Sequence, residues 1–141
     1  MKRVIVDTGP LVAYFRESDH NHAWAKSQFQ CYSPPFWTCE PVLTEAAFLL
    51  NRFGGNKNVE YLLALAQQGV LRVDFNLIQE SKRLSELIRQ YQNVPMSLAD
   101  ACVVRMAEQY KDSLVLTLDS DFNIYRINGR KTVPLITNTE T

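Results

Sequence analysis

Five acidic residues, Asp7, Glu45, Asp100, Asp119 and Asp121, stand inside apolar runs or directly after them. Asp7 closes the β-branched run Val4-Ile5-Val6, and Asp119 follows the run Leu114 to Leu118. Glu45 lies three residues after Val42 and four before Leu49, within a helical apolar stripe. Asp100 precedes Val103 and Val104 by three and four residues and shares their face. Carboxylates brought within a few ångströms of one another cannot all stay ionised without a partner, and no Lys or Arg lies inside these stripes to serve as one. A hard divalent cation resolves the repulsion, and an all-oxygen donor set favours Mg²⁺ or Mn²⁺ over zinc. Such a cation makes a nucleophile of bound water and stabilises charge growing on a phosphoryl oxygen, so the chemistry expected is phosphodiester hydrolysis.

Glu45, Asp100, Asp119 and Asp121 each also have a purely structural explanation. Glu45 can sit at the margin of its stripe with its head in solvent, or turn inward toward a cation. Ser97 and Asp100 form an S-x-x-acid capping box, a role compatible with presenting the carboxylate at a helix N-terminus. Asp119 or Asp121 can make an Asx turn or cap a short helix, which accounts for either but does not require both.

The elements that must position these groups alternate between strand and helix. Val4–Val6 reads as a central strand, and Pro10 as the first turn of a helix through Phe15, with Thr8 or Gly9 as N-cap. A second helix is expected from about His20 to Cys31, a strand over 36–39, a helix from Pro41 to Arg52, a fourth helix to Gln68 and a strand over 70–73. Further helices are expected over about 77–92 and from Ser97, then a strong strand over 113–118. Asn128-Gly129 marks a turn, 132–136 a last edge strand because of Pro134, and 137–141 a loose polar tail. This alternation predicts an α/β fold with a parallel sheet covered by helices on both faces. Ligands bind outside the carboxyl ends of such strands, and Asp7 and Asp119 stand there.

With 141 residues, the chain is expected to form one domain that buries roughly two-thirds of its unfolded surface. No apolar run approaches the ~20 residues that span a bilayer, and the apolar part of the N-terminus is too short for a signal peptide, so a cytoplasmic protein is expected. Cys31, Cys39 and Cys102 contain no C-x-x-C pair and are expected to be buried thiols. His20 and His22 point to different sides of their helix and do not suggest a shared metal. Fifteen basic and fifteen acidic residues cancel, which argues against nucleic-acid binding by bulk charge. With the five acids set aside in one pocket, fifteen bases would face ten acids.

Asp7-Thr8-Gly9-Pro10-Leu11-Val12-Ala13, Glu45 in a later helix, Leu98-Ala99-Asp100-Ala101 and Thr117-Leu118-Asp119-Ser120-Asp121-Phe122 together resemble the PIN-domain ribonucleases, in particular the VapC-like toxins of toxin–antitoxin pairs. The resemblance covers nearly the whole chain in order and spacing. It implies a PIN-like three-layer α/β/α sandwich around a mostly parallel five-stranded sheet, a Mg²⁺- or Mn²⁺-dependent endoribonuclease activity, an RNA substrate, a homodimer and a small antitoxin partner. By position, Asp7, Glu45, Asp100 and Asp119 match the family's catalytic, metal-holding acids. Asp121 is an additional or alternative ligand that sequence does not separate from Asp119. Thr8 and Thr117 match the small hydroxyl residues that hydrogen-bond carboxylates or water in such sites. Arg16, Arg126, Arg130 and Lys131 are the candidates for contact with the RNA backbone.

Two other readings compete. A phosphoaspartate receiver or phosphatase also places an Asp after its first strand, but receivers want paired acids there and the phosphatases D-x-D, and Asp7-Thr8-Gly9 offers neither. A non-catalytic PIN-like module that binds a protein partner is the other, disfavoured by the presence of all four acids.

Overall fold

A computed structural model of the chain describes residues 2–139. The strand β1 (Arg3–Val6) leads into α1 (Thr8–Phe15), then α2 (His22–Cys31), β2 (Phe36–Trp37), α3 (Glu40–Gly54), α4 (Asn56–Gln67) and β3 (Leu71–Arg72). There follow α5 (Ser81–Gln90), α6 (Leu98–Gln109), β4 (Ser113–Leu116), a 3-10 turn (Ser120–Asn123), β5 (Arg126–Ile127), β6 (Lys131–Thr132) and β7 (Leu135–Ile136). Five strands form a wholly parallel sheet in the order β3-β2-β1-β4-β7, while β5 and β6 pair antiparallel as a separate hairpin.

The central pair is in register from Arg3 opposite Ser113 to Val6 opposite Leu116. Successive strand side chains point to opposite faces, and Val4, Ile5, Val6, Val115 and Leu116 are all buried, so both faces of the sheet are covered. That is the expected α/β sandwich. The chain steps outward through β2 and β3 on one side of β1 and through β7 on the other side of β4, so the order reverses between β1 and β4. The two strands that end in acids therefore flank the topological switch point, where an open parallel sheet leaves a crevice.

Several boundaries differ from expectation for local chemical reasons. Residues 132–136 are not one strand. Lys131 and Thr132 close a hairpin over Asn128 and Gly129, both at positive φ (53° and 85°), and Leu135 and Ile136 pair with β4 only beyond Pro134, which has no N–H for a ladder. The helix expected from Leu77 begins at Ser81, because the Asn76 side chain accepts from Gln79 N (3.1 Å) and shapes a preceding turn that leaves Ile78 exposed. Likewise Asp19 Oδ1 accepts from Asn21 N (2.8 Å) and delays α2 to His22. The N-cap of α1 is Asp7 itself, ahead of Thr8 and Gly9. Cys39 and Cys102 are buried, but Cys31 is exposed, contrary to expectation. The tail is held as far as Asn138, whose Nδ2 donates to Asn21 Oδ1 at 2.8 Å, and residues 140 and 141 lie outside the described residues.

Candidate metal centre

Asp7 leaves β1 with its backbone still in the sheet, its N–H donating to Leu116 O at 3.0 Å, and its side chain is almost wholly buried. The Thr117 hydroxyl, one residue past β4, donates to Asp7 Oδ2 at 2.7 Å and so ties the two strand ends together. Thr117 Oγ1 also accepts from Asp119 N (3.0 Å), which turns the chain so that Asp119 faces the same crevice. Gly9 makes the close approach possible: a Cβ there would lie 3.2 Å from Leu118 Cβ, tighter than ordinary van der Waals contact.

Asp100 stands in the first turn of α6. Its N–H donates to the Ser97 hydroxyl at 3.0 Å, so the capping role foreseen from sequence is real and leaves the carboxylate pointing into the site. One oxygen, Oδ2, accepts from the Tyr125 hydroxyl at 2.7 Å. Tyr125 was not foreseen. It is fully buried, packed edge-on against Phe122 and Tyr91, and the Tyr91 hydroxyl in turn accepts from Arg126 N at 2.9 Å. Its only sequence signal is a place just after the Asp119 to Phe122 motif, and an aromatic there reads as core.

Asp119 caps the 3-10 turn, its Oδ1 accepting from Asp121 N at 2.9 Å. Asp100, Asp119 and Asp121 each bring one carboxylate oxygen into a group whose members lie within 4.8 Å of one another. Sequence did not separate Asp119 from Asp121, and the fold brings both to Asp100.

The buried line of α3 is Val42, Ala46 and Leu50, so Glu45 is neither buried in the stripe nor turned away from the site. It sits at the exposed rim, where its Oε2 accepts from the Thr8 hydroxyl at 2.9 Å. Asp7, Thr8, Glu45, Asp100 and Asp119 thus line one open basin of about 460 Å³, with Gly9, Leu49, Leu118 and Ser120. None of the four basic candidates does so. The Arg16 guanidinium stacks over the Phe53 ring at 3.6 Å, and Arg126 Nη1 donates to the carbonyls of Asn123, Ile124 and Tyr125. Arg130 and Lys131 are exposed at the β5–β6 hairpin.

The electrostatics follow from this crowding. Burial pushes the Asp7 carboxyl up to about 7 in spite of the Thr117 and Thr8 hydrogen bonds, and the Asp100 and Asp119 charges add to the rise. Burial also raises Asp100, with Asp119 and Glu45 repelling it, against hydrogen bonds from Tyr125 and Ser97. Oxygen-only donors, mutual repulsion and no basic group in the basin's lining are what a hard divalent cation needs, so the donor set fits Mg²⁺ or Mn²⁺.

Residues 4–128 match the PIN domain family. Ribonuclease VapC26 of Mycobacterium tuberculosis is 26% identical over 117 residues, which cover 82% of this chain and 86% of that protein. The crystal structure of Mycobacterium tuberculosis VapC20, described as a sarcin-ricin loop cleaving toxin, is similar with a TM-score of 0.74 at 24% identity, over 86% of this chain and 93% of that one, a likeness of fold. Since the match runs from β1 into the β5–β6 turn and takes in all five acids, the chain belongs to the PIN-domain family.

Proposed function

We propose that this protein is a metal-dependent endoribonuclease and the toxin of a toxin–antitoxin pair. The observation that carries the reading is the convergence of Asp100, Asp119 and Asp121 at the β1/β4 switch point, in contact with the basin that Asp7 and Glu45 share. Asp100, Asp119 and Asp121 would hold Mg²⁺ or Mn²⁺, with Asp7 and Glu45 completing the acidic wall. When bound, the ion supplies an activated water and offsets charge on the phosphoryl oxygen. The chain's own part is to fix the carboxylates: Thr117 orients Asp7, Tyr125 holds one oxygen of Asp100, and Thr8 steadies Glu45 at the rim. Ribonuclease activity is also the property named for VapC26.

The partners that accompany this reading are an RNA substrate, a second copy of the chain, and a small antitoxin protein that covers the basin in the cytoplasm. Among the described residues no helix is long and apolar enough to cross a membrane. Of the four basic candidates, Arg130 and Lys131 have exposed side chains left to meet an RNA backbone, whereas Arg16 and Arg126 already have partners. A phosphoaspartate role is disfavoured because Asp7 is only 5% exposed and its Oδ2 is held by Thr117.

The test is cleavage of single-stranded or looped RNA by purified protein with Mg²⁺, Mn²⁺ or chelator. Asp7→Asn and Asp100→Asn should each reduce the metal-dependent rate by about 100-fold or more. An unchanged rate in both variants rejects the site.

A further inference from the structure

Beside the acidic basin lies a second recess, of about 350 Å³, built from three segments far apart in sequence. Asn21 comes from the turn before α2, Ser120 and Asn123 from the 3-10 turn, and Thr137 and Asn138 from the chain just after β7. Leu118, Asp119 and Ser120 line both the recess and the basin, so the two hollows lie on either side of one short wall. We propose that this recess seats a nucleobase of the RNA strand whose phosphate lies at the acids, and that it is where the protein reads sequence.

The lining chemistry selects this occupant. Asp119 apart, the wall is neutral: three amides and two hydroxyls beside the apolar Leu118 side chain. A second phosphate would need cationic groups or a row of N–H donors, and the recess is lined by neither Lys nor Arg. A base offers a neutral edge of alternating donors and acceptors and an apolar face. Asn amides carry the donor and acceptor types that such an edge needs, and unstacked RNA bases are read on their exposed edges. The volume falls within the range of small-ligand sites and admits one base.

The recess is also held in shape before any ligand arrives. Asn138 Nδ2 donates to Asn21 Oδ1 at 2.8 Å, which clamps the end of the chain to the α2 turn, and Asn21 is itself fixed by Asp19 Oδ1 on its backbone N–H. Asn123 Nδ2 donates to Ser120 O at 3.1 Å, which fixes the opposite wall. Locking three amides in place in advance lowers the ordering cost of binding.

This inference rests on the nuclease reading for the placement of the phosphate, and the experiment separates the two. Titration calorimetry is run on wild type, Asn123→Ala and the double variant Asn21→Ala/Asn138→Ala, first with Mn²⁺ alone. It is then run, with and without Mn²⁺, using ribose 5-phosphate and the 3′- and 5′-monophosphates of the four ribonucleosides. At least one nucleotide should bind wild type about tenfold or more tightly than ribose 5-phosphate, close to 1.4 kcal/mol, with a preference among bases. In the double variant that advantage and preference should disappear while Mn²⁺ and ribose 5-phosphate still bind, and Asn123→Ala should lose part of it. Equal binding of nucleotides and ribose 5-phosphate to wild type, or an advantage retained in the double variant, overturns the recess as a base site. Absence of Mn²⁺ binding to wild type overturns the metal centre instead, and the titrations without metal then decide the recess by the same comparison.

Discussion

The Tyr125 hydroxyl donates to Asp100 Oδ2 across 2.7 Å, and both groups are buried. This one bond joins the short segment leading into β5 to the first turn of α6, and it assigns one carboxylate oxygen to the protein while leaving the other for a ligand. Burial, together with the Asp100 carboxylate beside it, pushes the Tyr125 phenol well above its ordinary range, so it remains a donor at any physiological pH.

Tyr125→Phe keeps the ring against Phe122 and Tyr91 and removes only the donor. Loss of such an orienting partner typically costs 10–100-fold in metal affinity, and a fall of about tenfold or more in Mn²⁺ affinity is expected from titration calorimetry. The accompanying loss of stability should be about 1 kcal/mol by urea unfolding in chelator. Unchanged Mn²⁺ affinity would remove Tyr125 from the site.

Asp7 should make the metal-free protein less stable as pH rises. Its folded-state pKa, about 7, lies above its ordinary 3.8, so between these values the native state holds more protons than the unfolded chain. Stability therefore declines from about pH 4 to pH 7 on this group's account, and the full cost of the buried charge is reached above pH 7. Asp7→Asn in EDTA should accordingly melt several degrees higher than wild type at pH 8, with the gap closing near pH 4, while RNA cleavage is lost. Saturating Mn²⁺ should stabilise wild type at pH 8, because it binds the folded state. A melting temperature of Asp7→Asn equal to or below that of wild type at pH 8 would contradict the burial argument.

Asp119 and Asp121 should differ in what their loss does. Asp119 also caps the 3-10 turn by accepting from Asp121 N, whereas no hydrogen bond of the Asp121 carboxylate is part of the turn. Asp121→Asn should thus lower Mn²⁺ affinity with an unfolding free energy within about 0.5 kcal/mol of wild type. Asp119→Ala should lower both, the cap adding about 1 kcal/mol of destabilisation. Equal unfolding free energies for the two variants would argue against the capping role.

Glu108 is the support behind the hairpin that follows Tyr125. Its carboxylate is 1% exposed, bridges Arg83 (2.8 Å) and Arg105 (3.2 Å), and accepts from Asn128 N at 2.8 Å. Burial acts to raise its pKa, but Arg83, the Asn128 N–H and Arg105 outweigh it and hold the carboxyl below its ordinary 4.5. A lowered folded-state pKa gives stability that is present above 4.5 and lost as pH falls through the folded value, so this network should contribute to acid unfolding. Glu108→Ala leaves Arg83 with Glu86 and Arg105 with Glu80 as their remaining carboxylates and should cost about 2 kcal/mol near pH 7, measured by denaturant unfolding, with a smaller cost at pH 3. A cost independent of pH would show that packing, and not charge, accounts for it.

The local pattern of the chain was enough for the class of fold and for where its acids stand relative to strand and helix. Val4-Ile5-Val6 and Val115-Leu116 are apolar without alternation because helices cover both faces of their strands, and Asp7 and Asp119 follow those strands at the crevice. Ser97 and Asp100 announced their cap because capping acts over three residues, and a window of sequence contains both partners. What local pattern could not reach are relationships between distant segments. Thr117 lies 110 residues from Asp7, Tyr125 lies 25 from Asp100, and Asn138 lies 117 from Asn21, and only the order of strands makes each pair neighbours. Periodicity placed Glu45 in an apolar stripe, yet its exposure at the rim depends on how α3 packs beside α1, which a single helix cannot specify. Short-range chemistry determined which residues could cap, turn, span or carry charge, and the parallel sheet decided which of them meet, because its crossovers bring together groups that the chain itself keeps far apart.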